Sequence, residues 1–370
     1  MMTLSLVFVA VRPDFPRDFN RSESVLTASM ATHVMDRVAA ALMLAHDNAT
    51  ATKATRFAAT NREAILKHAF NGKWLRRAWF GNETGWIGDT HGKGVGMFSA
   101  QHGWSMLGNV FGPAPGAPAL TATLASLAVH CRDGWDYGYA YICDPAAPPP
   151  LNGSRVHAHG SVAQYPNAPG MWPAVDHPII LGLLAVNQTA LAWEEYTRNS
   201  LAWQASVSPS YWVGIWTSAD SVNGDGSPSE WTNDFPGLCT HRHAWPLVTA
   251  RHLAGMTYTA EGVQVRPALP AALGAYSWST PLASVAWDGN ATWTGYYRPG
   301  VAGPWMVVAD LSLVILDGDG AGARSIVLAV RSVGRGGAVV NQTARGVDKV
   351  RISAPRGALS VEFEIRIKRV

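Results

Sequence analysis

The stretch GLCTHRHAWPLVTARHLAGMTYTAEGVQVRPALP, residues 237–270, contains the point at which the character of the chain changes. Its first half favours a helix over 243–254, and from Met256 onward short apolar runs alternate with Gly and Pro turns. N-terminal to this stretch, apolar residues recur at the spacing of helices. These predicted helices cover 24–46, 50–70, 99–111, 117–131, 175–186 and 189–205. The sequence therefore predicts a helical domain over 1–254 and a β domain over 255–370.

The C-terminal segment gives the clearest strand pattern in the chain. Val361, Phe363, Ile365 and Ile367 alternate with charged residues, so one face of the strand is apolar and the other is charged. This alternation is typical of a half-buried strand. We therefore expect an α+β multidomain protein whose C-terminal domain is an antiparallel β-sandwich.

The composition excludes several classes of protein. Of the 370 residues, 48% are hydrophobic and 15% are charged, which is incompatible with a disordered chain. The net charge is +3 and no stretch is dominated by Lys and Arg, so a nucleic-acid partner is not expected. No run of 18 apolar residues is present, and no membrane span is expected. The sequence does not indicate an oligomeric state.

Tryptophan is unusually abundant, with 16 residues, of which twelve lie between Trp74 and Trp245. The flat indole ring stacks on the C–H faces of sugars, and it also fills protein cores. Many of these residues stand beside Gly, Pro or polar residues. We expect three or four of them, Trp172 among the candidates, to bind sugar and the others to pack.

Two features bear on the cellular compartment. Seven of the 14 asparagines lie in N-x-S/T sequons, at Asn20, Asn48, Asn82, Asn152, Asn187, Asn290 and Asn341. Such sequons are acceptors only in the secretory pathway, so a secreted or luminal protein is favoured over the cytoplasmic alternative. Three cysteines are present, and either Cys131 pairs with Cys143 or all three are buried thiols.

Carboxylates can act as general acids and bases, and four candidates stand in the second half of the helical domain. Glu194 and Glu195 are adjacent in a predicted helix, so their side chains diverge by about 100° and at most one points inward. Glu230 and Asp234 lie in the loop SPSEWTNDFPG. Each of these is a candidate general base.

Three segments resemble glycoside hydrolase family 94, the cellobiose and chitobiose phosphorylases. GKWLRRAWFGNETGWIGDTHGKGVGMFSAQHGW is similar to the family's W-Y-x-R-A-Y…N-x-Q-S-W, with matches at Arg77, Gln101 and Trp104. RDFNRSESV resembles the family's D-W-N-D segment, which would make Asp18 the general acid. The stretch 237–270 resembles the family's T-G-S-A-G-W and the segment that follows it.

The resemblance covers about residues 15–270 and implies a partial (α/α)6 toroid, the C-terminal half of a barrel, followed by a β-domain. It also implies substrate contacts in the run THRHAWP, which contains Thr240, His241, His243 and Trp245. The family's phosphate-binding glycine is replaced by His241. The family's segment E-N-G-G-x-F-x-H contains a Glu and a His that have no counterpart at the matching positions of this sequence. Asp176 and His177 are the possible substitutes.

The resemblance implies an inverting glycoside hydrolase that acts on β-linked gluco-oligosaccharides without a cofactor. One alternative is a disaccharide phosphorylase, which uses inorganic phosphate as co-substrate. A second alternative is a truncated, non-catalytic carbohydrate-binding protein. No metal site is expected from the spacing of His and Cys.

Overall fold

A computed structural model describes residues 22–81, 85–90, 94–112, 116–132, 139, 142–143, 170–207, 222–223, 240–259, 261–270, 273–299, 305–310, 324–334, 337–347 and 349–369. The chain divides into two compact units, Met1–Pro246 and Leu247–Val370. This division falls within a helix, whereas the sequence places it after residue 254. In the described part of the chain, no helix has the length and apolar character needed to cross a membrane.

The helices lie close to the ranges predicted from the periodicity of apolar residues. They are α1 (Val25–Leu44), α2 (Asn48–Ala69), α3 (Ala100–Leu107), α4 (Pro118–Leu127), α5 (Pro173–Ala185), α6 (Thr189–Arg198), α7 (Leu201–Val207) and α8 (Thr240–Leu253). The predicted helix over 117–131 is divided, because a π-helical turn at Ala128–Arg132 follows α4. The predicted helix over 189–205 is also divided, into α6 and α7.

Short strands connect the helices of the first unit. β1 (Ser22–Ser24), β2 (Ala78–Phe80), β3 (Trp86–Asp89) and β4 (Gly94–Val95) form one sheet. β5 (Met97–Phe98) pairs with β6 (Ile142–Cys143), and β7 (Gly170–Met171) pairs with β8 (Val222–Asn223).

Side-chain caps fix the start of the first helical hairpin. Ser24 accepts a hydrogen bond from the Thr27 amide at 3.2 Å and begins α1. Asp47 accepts one from the Thr50 amide at 3.0 Å and begins α2. Such caps satisfy amides that have no partner within the helix. Both helices therefore begin where Ser or Asp stands in the sequence, and they pack together as a hairpin.

Helix α3 packs against α1 on one side and α5 on the other. Two glycines permit the close approach of α3 and α5. A Cβ on Gly103 would lie 2.5 Å from the backbone N of Ile179, and one on Gly182 would lie 2.7 Å from the Gly103 carbonyl oxygen. α5 in turn packs against α6, so α3 connects the hairpins α1–α2 and α5–α6. This arrangement is α-helical with small sheets that are antiparallel except for the parallel pair β3–β4, and a closed toroid remains a prediction.

The second unit consists of two packed sheets. Its strands are β9 (Met256–Thr259), β10 (Gly262–Val265), β11 (Tyr276–Ser279), β12 (Ala283–Trp287), β13 (Thr292–Tyr297), β14 (Met306–Asp310), β15 (Arg324–Gly334), β16 (Val339–Gly346), β17 (Lys349–Ser353) and β18 (Ala358–Arg369). The four-stranded sheet has the order β17-β14-β10-β9, and the six-stranded sheet has the order β11-β12-β13-β18-β15-β16.

One core joins the two sheets, since buried residues of both, such as Val263 and Phe363, belong to the same cluster. The predicted inward face of the last strand is confirmed, because its four alternating apolar residues are all buried. The described strand pairs of this unit are antiparallel, as expected, except that β10 pairs with β14 in parallel. Strands β11–β13 of the other sheet stand between them in the sequence, so a crossover connects them.

Candidate functional site

The hairpin of α5 and α6 brings two buried carboxylates to one end. Asp176 lies in the first turn of α5 and Glu195 near the end of α6, and both are fully buried (0% exposed). Asn199 follows α6 directly, and its Nδ2 donates to Asp176 Oδ2 at 2.9 Å. The start of α5 and the end of α6 are thereby held together.

Arg132, in the π-helical turn after α4, binds both adjacent glutamates of α6. Its Nε donates to Glu195 Oε1, and its Nη2 forms an ion pair with Glu194. Glu194 also pairs with Arg198 at 2.9 Å, and its side chain is 47% exposed, whereas that of Glu195 is 0% exposed. The prediction that only one of the two glutamates points inward is confirmed.

Burial controls the protonation of this cluster. Burial raises the pKa of Glu195, and the Arg132 guanidinium opposes that rise. Burial also raises the pKa of Tyr139, and the negative charge of Glu195 adds to the effect. Among the described residues, Glu195 Oε2 has no hydrogen-bond partner. The pKa of the Glu195 carboxyl is thus raised by burial, although the carboxyl is hydrogen-bonded to the Arg132 guanidinium.

Asp176 stands in a different environment from Glu195. Its Oδ2 accepts a hydrogen bond from a neutral amide, that of Asn199. The two buried carboxyls therefore differ in their partners, since Glu195 binds a guanidinium and Asp176 binds an amide.

Aromatic rings lie beside the carboxylates. The ring of His177, which is 1% exposed, stacks on Trp245 of α8 with centroids 6.4 Å apart and planes 5° apart. Tyr196 contacts the same histidine edge-on at 6.4 Å and stacks on Trp193 at 5.9 Å. Trp245 and Tyr196 are half-buried, so each presents part of its ring to solvent.

A second polar cluster lies at the start of α1. Arg77 is 7% exposed, and its Nη1 donates to Ser24 Oγ at 3.4 Å. Among the described residues no carboxylate pairs with its guanidinium, which is unusual for a buried arginine. The first turn of α1 contains no acidic residue either. Within the described residues, the positive charge of Arg77 therefore lies beside a helix N-terminus, which is itself positive, with no carboxylate bound to it.

Gln101 and His102, at the start of α3, both bind the backbone of Leu75. Gln101 Nε2 donates to the Leu75 carbonyl at 2.7 Å, and its Oε1 has no partner among the described residues. The Leu75 amide donates to His102 Nε2 at 3.3 Å, so the ring proton lies on Nδ1. Burial lowers the pKa of His102 to about 4, and the ring is neutral at pH 7.

Fewer contacts are described for the remaining candidate residues that the sequence predicts. Trp104 is half-buried with its ring 5.9 Å from that of His33, and the half-buried Trp172 precedes α5. Asp18, Glu230 and Asp234 lie outside the described residues. Three other candidates lie in the first turn of α8, where only the backbone is described: Thr240, His241 and His243.

Cys131 is disulfide-bonded. The alternative of three buried thiols is therefore wrong. The side chains of Cys143 and Cys239 lie outside the described residues, so the predicted pairing with Cys143 stays a prediction.

Sequence reasoning missed Arg132, Tyr139 and Asn199, which complete the carboxylate cluster. Arg132 lies 63 residues from Glu195 in the sequence, and no motif links the two. Asn199 stands 23 residues from Asp176. Only the antiparallel packing of α5 on α6 brings this last pair together, and no local pattern indicated it.

Within the described residues, no group of three His, Cys, Asp or Glu side chains is placed to hold a metal ion. Comparison with known protein families gives no match, and comparison with curated proteins gives no similar sequence.

Proposed function

We propose that this chain is a carbohydrate-active enzyme, an inverting glycoside hydrolase that acts on β-linked gluco-oligosaccharides. The observation that carries the proposal is the pair of buried carboxyl groups, Glu195 and Asp176, at one end of a helical hairpin. Inverting hydrolysis requires one carboxyl that donates a proton and one carboxylate that activates water. Glu195, whose pKa is raised by burial, is assigned the first role, and Asp176, which is oriented by Asn199, is assigned the second.

In the proposed mechanism Glu195 is the general acid. Its burial favours the protonated form, which protonates the leaving glycosidic oxygen. Arg132 then stabilises the glutamate anion that is left behind. The Asp176 carboxylate, oriented by Asn199, accepts a proton from the attacking water. Inversion follows because water attacks the face opposite to the departing oxygen.

The aromatic residues supply the sugar contacts in this proposal. Trp245 and Tyr196 are half-buried on either side of His177, beside the carboxylates. Flat rings of this kind bury the C–H faces of a pyranose.

The hairpins α1–α2 and α5–α6 belong, in the same proposal, to a partial (α/α)6 toroid.

A second candidate, phosphorolysis, is favoured by one specific observation. The buried guanidinium of Arg77 has no carboxylate partner among the described residues and lies beside the N-terminus of α1. A guanidinium and a helix N-terminus together favour an oxyanion such as phosphate. Inorganic phosphate would then replace water as the attacking group, and the product would be a sugar phosphate.

We also propose a secreted or luminal location. The disulfide at Cys131 supports it, because disulfides persist in oxidising compartments. The abundance of sequons is the second argument for it.

Product analysis tests the function directly. The full chain is incubated with cello-oligosaccharides in phosphate-free buffer and again with inorganic phosphate, and the products are followed by proton NMR. We expect free sugar in both buffers, released first as the α-anomer. Sugar 1-phosphate formed only with phosphate would establish the phosphorylase instead. Oligosaccharide binding without turnover in either buffer would establish a non-catalytic binding protein.

A further inference from the structure

Several asparagines of the described residues have identifiable structural roles. Outside the sequons, Asn61 donates to the Ala28 carbonyl, Asn71 to Asp89, and Asn199 to Asp176. These three side chains stabilise the fold. The four described sequon asparagines are instead all exposed: Asn48, Asn187, Asn290 and Asn341. Their side chains therefore lie at the surface, where a modifying enzyme can reach them.

The two helical sequons stand at the far ends of the hairpins. Asn187 lies in the turn between α5 and α6 with φ of 65°, whereas Asp176 and Asn199 lie at the other end of that hairpin. With 13 residues, α5 separates the two ends by about 20 Å. Asn48 begins α2 after the α1–α2 turn, and Ser24 and Arg77 lie at the opposite end of α1. A large group on either asparagine would leave both polar clusters accessible.

The two sequons of the β unit are also on the outside. Asn290 lies in the tight turn between β12 and β13, where Asp288 Oδ1 accepts from its amide at 2.8 Å. Asn341 lies in β16, the last strand of the described six-stranded sheet, which also exposes Val339 (45%) and Val340 (41%). An exposed apolar edge strand is prone to pair with another chain.

We propose that Asn48, Asn187, Asn290 and Asn341 are acceptors of N-linked glycans, and that the glycan on Asn341 covers the edge strand β16. The donor is a lipid pyrophosphate-linked oligosaccharide. The side-chain amide nitrogen forms a bond to the anomeric carbon and loses a proton, while the C–O bond to the pyrophosphate breaks and the lipid pyrophosphate leaves. A glycan is bulky and hydrophilic, so the asparagine that carries it must lie on a part of the surface that the protein does not use for packing.

The test is expression of the full chain behind a cleavable secretion leader in cultured eukaryotic cells, followed by intact mass before and after peptide N-glycosidase F. We expect a mass decrease on digestion and conversion of the four asparagines to aspartate in the peptide map. Asn187→Gln and Thr189→Ala each remove one glycan, whereas Thr189→Ser, which preserves the sequon, keeps it. Secreted or retained chain with the mass of the bare polypeptide would overturn the proposal.

A separate measurement tests whether the Asn341 glycan covers the edge strand β16. We expect the Asn341→Gln protein to aggregate at lower concentration than the Asn187→Gln protein in light scattering, because only the former exposes β16. Equal aggregation of the two would overturn the edge-covering role. Neither measurement depends on hydrolysis of any sugar, so the outcome is independent of the proposed enzymatic activity.

Discussion

Asn199 Nδ2 donates to Asp176 Oδ2 across 2.9 Å, and this bond joins the residue after α6 to the first turn of α5. Both side chains are buried, with exposures of 3% and 0%. The bond therefore orients a carboxylate that the proposed mechanism uses as a base. It also contributes to the folding of the hairpin.

Substitution of Asn199 by Ala leaves Asp176 Oδ2 without this donor. We expect the free energy of unfolding to fall by about 1–3 kcal/mol, the cost of a buried polar group that loses its partner. Urea denaturation followed by tryptophan fluorescence measures it. Asn48→Ala, on the exposed surface, is the control and is expected to have little effect. Equal stability of the Asn199 variant and the wild type would show that the bond contributes nothing.

Helix α3 approaches α5 so closely that Gly103 cannot carry a side chain. A Cβ there would lie 2.5 Å from both the Ile179 nitrogen and the Pro178 carbonyl carbon. We expect Gly103→Ala to lower the free energy of unfolding by about 1–3 kcal/mol or more, because the helices must move apart. Gly334→Ala is the control, since the nearest atom to its Cβ is 3.6 Å away. Comparable urea midpoints for the two variants would contradict the close packing.

His102 makes stability depend on pH. Its pKa is lowered from 6.5 to about 4 in the folded state, because the ring is buried. The stabilisation is therefore present above pH 6.5 and is lost as the pH falls towards 4. Between pH 7 and pH 5 we expect a loss of about 2 kcal/mol from this residue. His102→Gln removes that part of the pH dependence in urea titrations, and the exposed His68→Gln does not. A pH dependence unchanged in His102→Gln would contradict the assignment.

Substitution of Arg77 is expected to impair function without lowering the stability of the fold. Met has a similar length and no charge, so Arg77→Met removes a buried cation that has no carboxylate partner among the described residues. We expect the free energy of unfolding to be unchanged or raised by about 1 kcal/mol, while the KM for substrate or phosphate rises. The neighbouring Arg76→Met loses an ion pair with Asp89 and is expected to destabilise the protein. Strong destabilisation by Arg77→Met with unchanged KM would assign Arg77 a structural role.

Local sequence patterns predicted much of the fold. Periodicity alone located α1 and α2, and the alternation of Val361 to Ile367 with charged residues placed the inward face of β18. The parallel pairing of β10 with β14 was not predicted, because it depends on contacts between distant segments.

The candidate site was predicted only in part. Glu195 and Asp176 were named from the sequence, and helical geometry correctly required that only one of two adjacent glutamates be buried. Arg132 and Asn199, which set the environments of these carboxyls, were not named. Each meets its partner only through the packing of helices, and neither stands in a recognisable motif.

The central claim is that Glu195 protonates the leaving group, and a pair of neighbouring substitutions tests it most directly. Glu195→Gln and Glu194→Gln are the same substitution at adjacent residues that both bind Arg132, but only the first alters the buried carboxyl. With both proteins shown to be folded by circular dichroism, kcat for cello-oligosaccharide hydrolysis is compared. We expect Glu195→Gln to lose about 10²–10⁴-fold, as for a general acid, and Glu194→Gln to stay within a few-fold of wild type. Equal kcat for Glu195→Gln and the wild type would contradict the account.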